Sequence, residues 1–77
     1  MKKTEFFEKL KDAIETESNI DENTNLKALN EYSSLTTLSI IVLIDELFEK
    51  SLTARELNSV NSINELMELI GMDKFKS

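Results

Sequence analysis

The side chains behind most enzyme chemistry are missing from this chain of 77 residues, which has no histidine and no cysteine. Without histidine it lacks the usual general base and the commonest metal ligand; without cysteine it lacks thiolate nucleophiles, zinc–thiolate sites and disulfides. Hydroxyls and carboxylates remain, and one hydroxyl is distinguished by its place. Ser34 opens a helical pattern, where the first backbone N–H groups have no acceptor within the helix and the dipole is positive. A phosphate ester on that hydroxyl would be stabilised. By residue type alone, a plain capping serine is the commoner role. Asp21-x-Asn23-x-Asn25 opens like a calcium loop, but Leu26 stands where glycine is needed and Tyr32 where a bidentate glutamate belongs. A solvated, turn-rich loop explains these residues.

The pattern after Ser34 sorts its residues onto two faces. At about 100° per residue, Thr37, Ile40, Ile41, Ile44, Leu47 and Phe48 share one broad arc, the predicted core face. The opposite face carries Asp45, Glu46 and Glu49 and must meet solvent. Leu35, Leu38 and Val42 project onto this same face one and two turns earlier. A row of three branched apolar side chains bordered by acids is a patch of the kind partners use. The competing reading is that the loop over 17–33 folds across them and they are core.

Around this helix, predicted over 34–50 with Ser33 or Ser34 as cap, the chain offers three more. Phe6, Phe7, Leu10, Ala13 and Ile14 recur at helical spacing and predict a helix over 4–16 capped by Thr4. From Glu17 to Ser33 the periodicity fails, and only Ile20, Leu26, Ala28 and Leu29 can pin the loop to a core. Thr53-x-x-Glu56 fits a capping box and starts a short helix over 53–59. Ser62-x-x-Glu65 starts the last helix over 62–70, with Gly71 placed for a left-handed cap. Met72 to Ser77 are expected to fray. With no proline and one glycine, strands and tight turns are disfavoured. The expected fold is all-α: a single domain over 1–77, a small four-helix bundle of three longer helices and one short one.

Charge narrows the partners. Nine basic against fifteen acidic residues give a net charge of −6, which opposes binding to nucleic acid or to anionic lipid. At 40% hydrophobic and 31% charged the composition is that of a folded domain, not of a disordered chain. The start of the chain lacks the apolar run of a signal peptide. The longest uncharged stretch, Tyr32 to Ile44, falls short of the roughly 20 apolar residues that span a bilayer. Phe6 and Phe7 are better placed for a core than for membrane contact, so a soluble, cytoplasmic monomer is expected.

Tyr32-Ser33-Ser34-Leu35 and the helix Thr36-Thr37-Leu38-Ser39-Ile40-Ile41-Val42-Leu43-Ile44-Asp45-Glu46-Leu47-Phe48 resemble the prosthetic-group attachment region of acyl carrier proteins. That family usually reads Asp-Ser-Leu, then an apolar helix ending in acids and a phenylalanine. The resemblance extends over nearly the whole chain: an amphipathic first helix, a long loop with Leu26 and Leu29, a short helix after Leu52 and a last helix after Asn61-Ser62.

The resemblance implies that Ser34 carries 4′-phosphopantetheine, delivered from coenzyme A by a phosphopantetheinyl transferase. It also implies that Leu35, Leu38, Val42, Asp45, Glu46 and Glu49 meet the enzymes that load and accept an acyl thioester. The missing thiol would then belong to the prosthetic group, and the chain itself would catalyse nothing. Ser33 stands where the family has aspartate, and Thr36 and Ser39 where fatty-acid carriers are often acidic; Tyr32 takes the aromatic place of specialised carriers. This implies a dedicated carrier of a secondary or surface-modification pathway. The alternative is an unmodified helical adaptor that binds a partner through Leu35, Leu38 and Val42.

Overall fold

A computed structural model describes residues 1–76 and shows four helices: α1 (Lys3–Ile14), α2 (Ser34–Phe48), α3 (Ala54–Asn58) and α4 (Ile63–Ile70). No strand occurs among the described residues, so the small all-α bundle of three longer helices and a short one stands as expected. α1 packs along α2, and α3 lies against α2. The core is filled from every element: Phe6 and Leu10 from α1, Ile40 and Ile44 from α2, Leu57 from α3 and Leu66 from α4 are all fully buried. Each such side chain contributes about 1.5–3 kcal/mol relative to exposure. No helix among the described residues is long and apolar enough to cross a membrane.

The helix ends depart from the expected boundaries, for local reasons. α1 starts at Lys3, so Thr4 lies inside it and is not the cap; Lys2 holds that place without a side-chain hydrogen bond. Its entry is set instead by pairing with the far end of the chain, where Lys3 N–H donates to the Lys76 carbonyl at 2.9 Å and Lys76 N–H to that of Met1 at 2.8 Å. α1 stops at Ile14 and α2 at Phe48, two residues short in each case, because Glu15 and Glu49 turn left-handed with φ of 62° and 54°. Thr53 and Ser62 cap α3 and α4 as expected. The Thr53–Glu56 box is reciprocal, whereas the Glu65 carboxylate accepts from Asn61 N–H, not from Ser62.

The expected fraying of Met72 to Ser77 is corrected over its described part. Residues Met72–Lys74 form a 3₁₀ turn, and Phe75 is buried with its ring edge-on to Phe6 and Phe48. Gly71 is not a left-handed cap either: at φ 121°, ψ 111° it redirects the chain into that turn. A Cβ there would lie 2.9 Å from Asp73 Oδ1, in a backbone region that side chains rarely adopt. Gly71→Ala is therefore expected to lower stability by about 1–3 kcal/mol. The check is a lower urea midpoint at unchanged slope; an unmoved midpoint would contradict this account of the turn.

The long loop is not structureless. A 3₁₀ turn at Leu26–Ala28 is capped by Asn25, whose side chain accepts from Lys27 N–H. Leu26 is buried and Ile20 and Leu29 are half-buried, but Ala28 is exposed and pins nothing. The loop is drawn to the start of α4. Ile63 N–H donates to the Thr24 carbonyl at 3.0 Å and Asn64 N–H to that of Glu22 at 2.8 Å, so loop carbonyls serve donors that a helix N-terminus leaves without partners. Asp21 is a turn former, its carboxylate accepting from Asn23 N–H at 2.8 Å.

Candidate functional site

The start of α2 is built differently from that of α4. Ser33 is fully extended, at φ −151° and ψ −179°, and takes the cap position, which leaves Ser34 as the first helical residue. The box is closed by Thr36, whose hydroxyl accepts from Ser33 N–H at 2.6 Å and donates to the Ser33 carbonyl at 2.7 Å. The Ser34 side chain is thus not consumed in capping, and the residue is exposed. The N–H groups of Ser34 and Leu35 have no acceptor among the described residues, whereas the loop occupies the equivalent donors of α4. Neighbouring hydroxyls are engaged: Ser33 Oγ faces Thr36 N–H at 3.5 Å, and Ser39 Oγ donates to the Leu35 carbonyl at 3.1 Å.

The apolar row beside Ser34 is at the surface. Leu35 is 76% exposed, Leu38 59% and Val42 55%, against 0% for Ile40 and Ile44 on the opposite side of the same helix. The loop does not cover them, because its apolar side chains turn to the core and its backbone is tied to α4. Seven residues of helix rise set Leu35 and Val42 about 10 Å apart. Asp45 and Glu46 follow on the same face, exposed, one turn beyond. Glu49 is also exposed but belongs to the left-handed end of α2, so it borders the face and does not lie on it. From Tyr32 to Ile44 the chain carries no charge, so the acid is confined to the end away from Ser34.

Of the predicted core face, Thr37, Ile40 and Ile44 are buried, while Ile41, Leu47 and Phe48 are half-buried at its borders. Thr36, assigned to neither face, is buried beside them. Its role was readable in Ser33-x-x-Thr36, the same spacing as the two boxes recognised through glutamate, with a hydroxyl standing in for the carboxylate.

A shallow hollow of about 280 Å³ adjoins Ser34, lined also by Thr37, Leu38, Ala54 and Asn58. Space for a pendant group therefore exists beside the hydroxyl, between the start of α2 and the side of α3. No known protein family, curated protein or solved structure matches this chain. The chemistry of the site has to be read from its own residues.

Proposed function

We propose that the chain is a carrier protein modified on Ser34 with 4′-phosphopantetheine, which presents an acyl or related cargo to partner enzymes and catalyses nothing itself. The observation that carries this reading is an exposed, uncommitted hydroxyl at the first residue of α2, directly beside an exposed apolar row. The residues fit the group. Ser34 Oγ has open space around it, and the unpaired N–H groups of Ser34 and Leu35 at the positive end of α2 favour a phosphodiester there.

When bound, the prosthetic group supplies a thiol on a flexible arm, on which cargo is held as a thioester. The chain's own residues do the rest. In the modification, Ser34 Oγ attacks the phosphorus that bears pantetheine in coenzyme A. The pyrophosphate bond breaks, adenosine 3′,5′-bisphosphate leaves, and the hydroxyl proton passes to a base of the transferase. Leu35, Leu38 and Val42 dock on partner enzymes through apolar contact. Asp45 and Glu46, with Glu49 at the border, attract basic residues on the partner at one end of the face only, favouring fast encounter and release. The departures at Ser33, Thr36 and Ser39 support a specialised pathway, with the chain acting as a cytoplasmic monomer.

The test is incubation with coenzyme A and a broad-specificity phosphopantetheinyl transferase, followed by intact mass and peptide mapping. One prosthetic group on Ser34 is expected. An unmodified chain, or a group on Ser33 or Ser39, overturns the reading, and an unmodified chain favours the helical adaptor. For the docking face, Leu38→Glu is expected to keep wild-type helicity and a stability within about 0.5 kcal/mol, as for other exposed positions. It should raise the KM for modification roughly tenfold, the equivalent of about 1.4 kcal/mol of docking energy. An unchanged KM would remove Leu38 from the docking face.

A further inference from the structure

Two threonine hydroxyls meet at the residue before Ser34. The Ser33 carbonyl accepts from Thr36 Oγ1 at 2.7 Å, from Thr37 Oγ1 at 3.1 Å and from Thr37 N–H at 3.0 Å. Thr36 Oγ1 also takes the Ser33 N–H at 2.6 Å, so both backbone polar groups of Ser33 are held by one side chain. Behind them, the Thr37 hydroxyl pairs with the Tyr32 hydroxyl at 3.2 Å. Thr36 and Thr37 are 9% and 7% exposed, and Tyr32 is half-buried against the core. Hydroxyls this deep are costly unless bonded, and here those of Thr36 and Thr37 both bond the backbone of one extended residue.

We infer that Thr36, seconded by Thr37 and Tyr32, is a positioning residue that fixes the direction in which Ser34 presents its hydroxyl. The Ser33 carbonyl and the Ser34 N–H belong to a single planar peptide unit. Fixing that carbonyl fixes the plane from which the Ser34 Cα–Cβ bond departs. A serine at a frayed helix start would sample many directions, whereas one on a clamped plane meets an incoming phosphorus in a narrow range, and orientation of this kind acts on rate. The customary side-chain cap contributes little, since Ser33 Oγ lies 3.5 Å from Thr36 N–H. Ser33 therefore serves through its backbone and Thr36 through its side chain.

This inference rests on the carrier reading, and its test separates the two. Thr36→Val keeps the shape and deletes the hydroxyl; Thr36→Ser keeps the hydroxyl; Ser33→Ala deletes only the long cap contact. Each is modified with coenzyme A and the same transferase, with kcat and KM measured separately and amide hydrogen exchange at Ser33 followed on the unmodified chain. In Thr36→Val, kcat is expected to fall about tenfold with KM within twofold, because the docking face is untouched, and Ser33 exchange is expected to accelerate. Thr36→Ser and Ser33→Ala should stay near wild type in both. Adding Ser33→Asp to Thr36→Val supplies a carboxylate cap for the N–H of position 36 and should recover most of kcat. If the wild-type chain is modified on Ser34 and Thr36→Val matches its kcat, the inference fails alone. A rise in KM, or a loss of helicity that the added aspartate does not restore, would make Thr36 merely structural. A wild-type chain that takes no group fails the carrier reading, and this inference with it.

Discussion

Ser34→Ala is expected to fold as the wild-type chain does and to take up no prosthetic group at all. Both halves follow from the division of labour at the start of α2. Serines at a helix start are usually valuable as caps, and replacing one by alanine costs about 1 kcal/mol. Here the cap is Ser33 and the box is closed by Thr36, so the alanine replaces an uncommitted hydroxyl at the first helical position. Alanine has a higher helix propensity than serine, and the expected change in stability is within about 0.5 kcal/mol of zero. Modification should nonetheless vanish completely and not shift to a neighbour, because Ser33 lies on extended backbone before the helix and Ser39 Oγ donates to the Leu35 carbonyl. Intact mass after transferase treatment, beside a urea melt, checks both halves. A destabilised but still modified variant would reverse the assignments of Ser33 and Ser34.

The surface row and the hydroxyl beside it were legible in the sequence because α2 obeys one period throughout. Once Asp45 and Glu46 fix which face is wet, the angular position of Leu35, Leu38 and Val42 follows without reference to any other element. Thr36 was harder to read. Its burial comes from the helix start, where Ser33 leaves the helical path, so that its hydroxyl turns back on the N–H and carbonyl of Ser33 and away from water. The ends of the chain were least legible for a different reason. Phe75 lies in a polar tail without periodicity, and its place depends on the rings of Phe6 and Phe48, residues far from it in sequence. Long-range closure of that kind leaves no local pattern, and neither does the bridge between Lys2 and Lys76. The loop turn at Leu26–Ala28 is likewise imposed by α4, whose first N–H groups recruit the carbonyls of Glu22 and Thr24.

That closure leads to the largest stability effect expected of any single side chain outside the helices. Phe75 is 8% exposed, and its ring stands edge-on to Phe6 with centroids 5.0 Å apart and to Phe48 at 5.3 Å. If residues after Gly71 only frayed, truncating this ring would cost almost nothing. As a member of the core it should cost about 3–5 kcal/mol, the range for a buried phenylalanine cut to alanine. For a chain of this size, about 4–11 kcal/mol of total stability is the expected scale, so Phe75→Ala should remove a large share of it. Phe75→Leu fills most of the same space and should lose clearly less. Met72→Ala, at a half-exposed position three residues earlier, should stay within about 0.5 kcal/mol of wild type. Urea melts followed by helical circular dichroism distinguish the three. A loss below about 1 kcal/mol for Phe75→Ala would mean that the aromatic cluster does not persist in solution. The pairing of Lys3 with Lys76 would then be expected to open with it, because its two backbone hydrogen bonds, each worth only about 0.5–1.5 kcal/mol net, and the exposed bond from the Met1 ammonium to the Lys74 carbonyl cannot hold the tail once its side-chain anchor is gone.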